Sequence, residues 1–348
     1  MKGALCSAVL AATAALGVVS GAQATPVQHT IAYQAGHIRS VAQNADVVGW
    51  ITLQPDSSKC VAVVRLRNLS THTQVALNKA GGPTCESDQA RIENLAIASD
   101  SSAIWVLPAF GNDAYFDLIR GTSAGTDTQL KELVWSESND QVVDTAGADT
   151  TAVFAWSESQ PSDACLVGTG TCTYFVEQGG VETASGVAVP NAPPAAAVAG
   201  SAGYVAILLA GTIKAQPIAH PADVEIRKVT TGAVVGHFTA SAPVEGLALS
   251  PHYATVLTAG KIERYTVYGA HLGNVSVPSG TGEMSASDTW IVYRVGNVIH
   301  AVRQDGGGTP QTFTAASTPR SLSIVGNRVI WAETYAKHKD RIQSVTLP

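Results

Sequence analysis

The stretch Leu118-Ile119-Arg120-Gly121-Thr122-Ser123-Ala124-Gly125-Thr126 admits two readings that lead to different folds. Gly121 to Gly125 matches G-x-S-x-G, the strand-to-helix elbow that exposes a nucleophilic serine above a parallel α/β sheet. The same residues also suit a tight turn between antiparallel strands, where Gly and Ser supply backbone freedom. In the first reading Ser123 attacks a substrate, and in the second it only reverses the chain. The surrounding sequence has to choose.

Outward from this point one unit recurs: an alternating apolar segment, a small or turn-forming pair, then an apolar segment that often carries Trp or Tyr. Its copies run Ile38 to Trp50, Ile92 to Trp105, Val142 to Trp156, Ala195 to Leu208, Val244 to Leu257, Glu283 to Tyr293 and Arg320 to Trp331. Taking Asp46, Asp100, Asp149, Ser201, Pro251, Asp288 and Asn327 as the turn markers, the intervals range from 54 residues (Asp46 to Asp100) down to 37 (Pro251 to Asp288). Such spacings fit propeller blades of four short antiparallel strands. A third strand with its own turn follows each marker, and Gly121 to Gly125 falls in that turn. Asn68 to Thr71, Gln178 to Gly180, Thr230 to Gly232 and Asp305 to Gly308 occupy the same slot. Ser123 is therefore read as a turn residue rather than a nucleophile.

The last copy ends after its third strand, RIQSVTLP, while Gln28 to Gln34 reads as a spare strand near the other end. An N-terminal strand that completes the final blade would remove an open sheet edge. The expectation is an all-β, seven-bladed β-propeller closed by an N-terminal strand in the last blade, forming a single domain over residues 25–348. Six blades with one irregular unit, or two stacked sandwiches, are the competing architectures.

Leu249-Ser250-Pro251, Ala286-Ser287-Asp288 with Ile291-Val292-Tyr293, Val298 to Gly307 and Gly326 to Trp331 together resemble the exported bacterial TolB-like and WD-like seven-bladed propellers. That resemblance spans nearly the whole chain after residue 24 and implies the fold, whereas function on such a ring is set by its loops. The Trp-Asp signature of a strict WD repeat is missing.

Residues 1–24 have an early Lys, an Ala/Leu/Val core and an Ala22-Gln23-Ala24 ending, the layout of a cleavable secretory signal. A secreted or periplasmic location follows as an expectation. Charged residues make up 14% of the chain and the net charge is −6, without basic runs, which argues against nucleic acid as partner. The apolar run Ala195 to Ile213 is long enough to be weighed as a membrane span, but it reads as two strands about a turn near Gly200 to Gly203. No membrane span is expected after signal cleavage, and a monomer is expected. The sequons at Asn68 and Asn274 matter only in a glycosylating pathway, which this Ala-rich signal does not suggest.

Cys60, Cys85, Cys165 and Cys172 remain after the signal. An even number in an exported chain suggests two disulfides, and position favours Cys60 with Cys85 and Cys165 with Cys172. No cysteine or histidine spacing suggests a metal, and no cofactor is implied. Trp50, Trp105, Trp156 and Trp331 recur at matching strand positions and read as packing between blades.

The second-to-third strand loops and the blade crossovers share one face of a propeller, and they are longest in the first four blades. Phe110, Asp113, Tyr115, Trp135, Glu137 and Asp163, with Tyr335 and His338 in the last blade beside Lys337 and Lys339, are the candidate contact residues for a protein, peptide or glycan partner. Each has loop packing or plain solvation as its competing reading. The leading expectation is a noncatalytic binding propeller. The alternative, a propeller hydrolase or lyase with a site at the channel mouth, would draw on His338 and Glu333.

Overall fold

The computed structural model describes residues 27–56, 59–82, 92–110, 114–134, 140–161, 174–210 and 222–348. They form 27 strands, and no helix occurs among the described residues. Blade one holds β2 (His37–Gln43), β3 (Val47–Asp56), β4 (Lys59–Asn68) and β5 (Gln74–Gly82). Blade two holds β6 (Glu93–Ile97), β7 (Ser102–Phe110), β8 (Ala114–Thr122) and β9 (Asp127–Val134), and blade three β10 (Asp140–Ala148), β11 (Thr151–Pro161) and β12 (Tyr174–Thr183). Blade four holds β13 (Ala195–Ser201), β14 (Tyr204–Leu209), β15 (Asp223–Lys228) and β16 (Val234–Thr239), and blade five β17 (Val244–Leu249), β18 (Tyr253–Thr258), β19 (Lys261–Thr266) and β20 (His271–Ser276). Blade six holds β21 (Thr281–Ala286), β22 (Trp290–Val295), β23 (Val298–Arg303) and β24 (Gln311–Thr314). Blade seven combines β25 (Arg320–Val325), β26 (Arg328–Ala336) and β27 (Lys339–Thr346) with β1 (Gln28–Ala35), in the order β1-β27-β26-β25.

The first strands of the blades pack in sequence around the centre, β2 on β6, β6 on β10 and so on to β25, which returns to β2. The chain is thus a closed seven-bladed β-propeller. Seven separate apolar clusters fill the seven seams between blades. Because both faces of a second strand are covered by neighbouring blades, these strands read as apolar runs; Val47 to Leu53 is buried throughout. The same logic explains the run from Ala195, which forms β13 and β14 about Ala202 and Gly203, both in the left-handed region. No helix among the described residues is long and apolar enough to cross a membrane.

The fourth residue of a second strand supplies the large seam-filling ring: Trp50, Trp105, Phe154 and Trp331 are buried almost completely. Trp156 does not hold the position expected for it. It lies two residues beyond Phe154, partly buried against the same seam between blades two and three, with the Lys131 ammonium 5.0 Å from its ring.

Ser123 and Ala124 sit in the β8–β9 turn, with Gly125 at φ +88°. Blade three departs from the expected slot, because Gln178 to Gly180 runs inside β12 and the turn comes at Ala184 to Gly186. Its fourth strand is reduced to a bridge between Glu182 and Ala188, with bonds from Thr183 N to Val187 O and from Val189 N to Val181 O. Pro190, Pro193 and Pro194 follow at once and offer no amide hydrogen to a ladder, so pairing stops there.

The inner strands turn one edge to the channel, and amides on that edge are capped by side chains of a neighbouring blade. Ser321 Oγ accepts Val41 N (2.7 Å), Glu283 Oε2 accepts Leu322 N (2.8 Å) and Asp144 Oδ2 accepts Val198 N (3.0 Å). Burial pushes Asp144 up to about 6, against the hydrogen bonds from Val198 and Thr145 amides. A value raised on folding means that the contribution of Asp144 to stability is most favourable below about pH 4 and is lost as pH climbs through 6. A displacement of this size corresponds to about 3 kcal/mol. Denaturant melts of Asp144→Asn, which keeps an acceptor oxygen, are expected to show the native chain losing up to about 3 kcal/mol relative to the variant between pH 4 and 7. A difference that is flat across this range contradicts the assignment.

Candidate functional site

The two faces of the ring differ in what they present. At the face of the first-to-second strand turns, the ends of all seven inner strands enclose a cavity of about 700 Å³. Its wall is made of small and aliphatic residues with serine and threonine hydroxyls and the amides of Gln43 and Asn44, and among the described residues its only charged side chains are Asp149 and Asp288. Both carboxylates tie one turn to the turn of the preceding blade. Asp149 accepts Ser99 Oγ (3.3 Å), and Asp288 accepts His252 N (3.0 Å) while its Oδ2 lies 2.8 Å from His252 Nδ1. Burial opposes the charge of Asp288, but hydrogen bonds from Ser250 and His252 outweigh it and hold the carboxyl below its ordinary value.

On the opposite face the described side chains converge at the tip of blade seven. Tyr335 sits at an irregularity of β26 between Thr334 and Ala336, and His338 turns the hairpin in the left-handed region, at φ +55°. The β1–β2 junction reaches the same place, because Gly36 N donates to His338 O at 2.9 Å. Tyr33 opposes Arg341 across the β1–β27 pairing and meets Tyr335 edge-on, 5.3 Å apart and at 70°. The Arg341 guanidinium lies 5.5 Å from the Tyr335 ring, and the His37 and His338 rings are 6.1 Å apart. Tyr33 is 64% exposed and Tyr335 39%, so both rings are open to solvent at this tip.

Two fully buried carboxylates hold this rim from below. Glu333 Oε2 accepts Trp331 Nε1 (2.9 Å) and Ala316 N (2.9 Å), and its Oε1 accepts Arg341 Nε (2.7 Å) and Gln343 Nε2 (3.3 Å). Asp340 Oδ2 accepts Ile38 N (2.7 Å) and the Arg320 guanidinium, and its Oδ1 accepts Thr334 Oγ1 (2.8 Å). Glu333 has no lone pair aimed at His338, whose ring faces His37 instead, so the structure does not join the pair considered from sequence.

Of the sequence candidates, Tyr335 and His338 meet at this rim. Phe110 and Tyr115 fall at the facing ends of β7 and β8, where only the backbone is described. Asp113, Trp135, Glu137 and Asp163 lie outside the described residues. Cys60 is buried and disulfide-bonded, whereas Cys85, Cys165 and Cys172 lie outside the described residues. Sequence reasoning missed Tyr33 and His37. Gln28 to Gln34 reads as a strand in the sequence, but only its register against β27 sets Tyr33 beside Tyr335. Among the described residues no cluster of His, Cys, Asp and Glu is suited to a metal ion.

No protein-family description and no curated protein matches the chain. Solved structures do. The β-propeller domain of the Trilobed protease from Pyrococcus furiosus is 8% identical, with 90% of this chain and 94% of that one aligned at a TM-score of 0.57. A chain of the Mitotic Checkpoint Complex is 11% identical, with 99% of each covered and a TM-score of 0.53. The Pan2 WD40 domain of Neurospora crassa is 9% identical, with 94% and 98% covered and a TM-score of 0.51. At such identities the likeness establishes a shared β-propeller fold and nothing narrower.

Proposed function

We propose that the chain is an exported, noncatalytic propeller that binds a protein, peptide or glycan through the face carrying the second-to-third strand loops. The observation that carries this reading is the blade-seven rim, where two exposed tyrosines, two histidines and a stacked arginine are gathered from strands at opposite ends of the chain. Rings held edge-to-face on a closed sheet lose little freedom on binding, which suits them as anchors. The crossover and loop segments of blades one to four, with Phe110, Asp113, Tyr115, Trp135, Glu137 and Asp163, would extend the same face. Disulfides Cys60–Cys85 and Cys165–Cys172 would stiffen it, and a peptide map under non-reducing conditions checks that pairing.

Among the described residues, the carboxylate–histidine contact that a hydrolase or lyase site at the channel mouth could draw on is Asp288 with His252. The same turn-to-turn tie recurs as Asp149 with Ser99, which favours a structural role for both.

A photo-crosslinking side chain at Tyr335, compared with one at Ser123 in the β8–β9 turn on the opposite face, tests the proposal in extract of the source cells. Partner capture from Tyr335 and none from Ser123 is expected. Equal capture, or capture from Ser123 alone, contradicts it.

A further inference from the structure

We infer that the blade-seven rim takes an acidic peptide segment of its partner, an inference that rests on the reading of this face as the binding face. Along β1, β2, β26 and β27 the only acidic residues are Glu333 and Asp340. Both are fully buried, and Arg341 and Arg320 neutralise them. Lys337, His338 and Lys339 are exposed at the hairpin tip, so the charge offered to solvent there is cationic, on a chain whose net charge is −6.

The rings fit the same partner. Tyr335 gives one face to Arg341 and meets Tyr33 at 70°, so the two tyrosines form no shared flat platform of the kind a sugar ring stacks on. Ring edges carry partial positive charge, and such edges beside ammonium groups suit carboxylates carried on a flexible chain, with apolar side chains resting against the rings. Complementary charge of this kind acts at long range and is weakened by salt.

Fluorescence anisotropy of the mature chain with a fluorescein-labelled peptide of repeating Glu-Glu-Leu tests the inference, with a Lys-Lys-Leu peptide and an oligogalacturonide as comparison probes. Lys337→Glu and Lys228→Glu change the net charge equally, but Lys228 lies exposed on blade four, away from the rim. Salt-sensitive binding of the acidic peptide is expected, weakened about tenfold by Lys337→Glu and by Tyr33→Ala but by less than about twofold by Lys228→Glu. Absence of binding, equal binding of the basic peptide, equal loss in both lysine variants, or preference for the oligogalacturonide overturns the inference. If the acidic peptide fails while crosslinking from Tyr335 still captures a partner, this inference falls and the binding face stands. If crosslinking maps to the Ser123 face, both fall.

Discussion

Glu333→Ala is expected to lower the unfolding free energy by about 3–5 kcal/mol, the range for stripping one partner from a buried ion pair. The carboxylate is wholly enclosed and accepts from two side chains of β27, one of β26 and the backbone of the blade-six crossover. Its removal leaves the Arg341 guanidinium without its counter-charge and the Trp331 and Ala316 N–H groups without acceptors. Glu333→Gln is a sharper probe, since whichever way its amide lies, one N–H₂ faces donors that now have no acceptor. It should fall between the native chain and the alanine variant in urea melts. A loss under about 1 kcal/mol for Glu333→Ala would mean that the network is not closed as described. The same variant should loosen Arg341 from Tyr335 and weaken partner capture, although Glu333 itself is out of reach of any ligand.

Gly36→Ala is expected to be nearly as costly, by about 3–4 kcal/mol, from two separate penalties. The backbone there has φ +85°, which an L side chain resists, and an added Cβ would stand 2.2 Å from the carbonyl oxygen of Leu53. That oxygen belongs to the middle of β3 and cannot swing aside as a flexible side chain would. Gly36 also joins β1 to β2 and donates to His338, so the strain falls on the link between ring closure and the rim. Thermal unfolding by circular dichroism reads the cost. A melting temperature unchanged from the native chain contradicts the description of this junction.

The ring was legible because its signals are local. Each turn marker, and the Gly-rich slot that holds Ser123, is a few residues long and recurs, so a false nucleophile motif could be overruled by its neighbours. Seam packing was legible for Trp50, Trp105 and Trp331 for the same reason. Trp156 also packs against its seam, but two residues beyond the place that Phe154 takes, so its packing between blades was legible and its strand position was not. Blade three misled because Gly179-Gly180 has the composition of a turn, while the prolines beyond Val189 decide where pairing ends. The rim was only half legible. Tyr335 and His338 lie on one hairpin, but Tyr33 and His37 arrive from some 300 residues away, as the contact of Ile38 with Asp340 over 302 positions illustrates. No pattern within a window of sequence carries that register. The Asp288–His252 tie, across 36 positions, was hidden in the same way.

Both the closed ring and the rim depend on β1 lying in blade seven, paired with β27 from Gln28 opposite Val345 to Ala35 opposite Lys339. Hydrogen–deuterium exchange measured by mass spectrometry of the chain tests this most directly. Peptides covering residues 28–35 are expected to be protected as strongly as those covering 339–346 and to lose protection together with them as urea is raised. Free exchange of residues 28–35 alongside a protected 339–346 would contradict the closure, and with it the joining of Tyr33 to Tyr335.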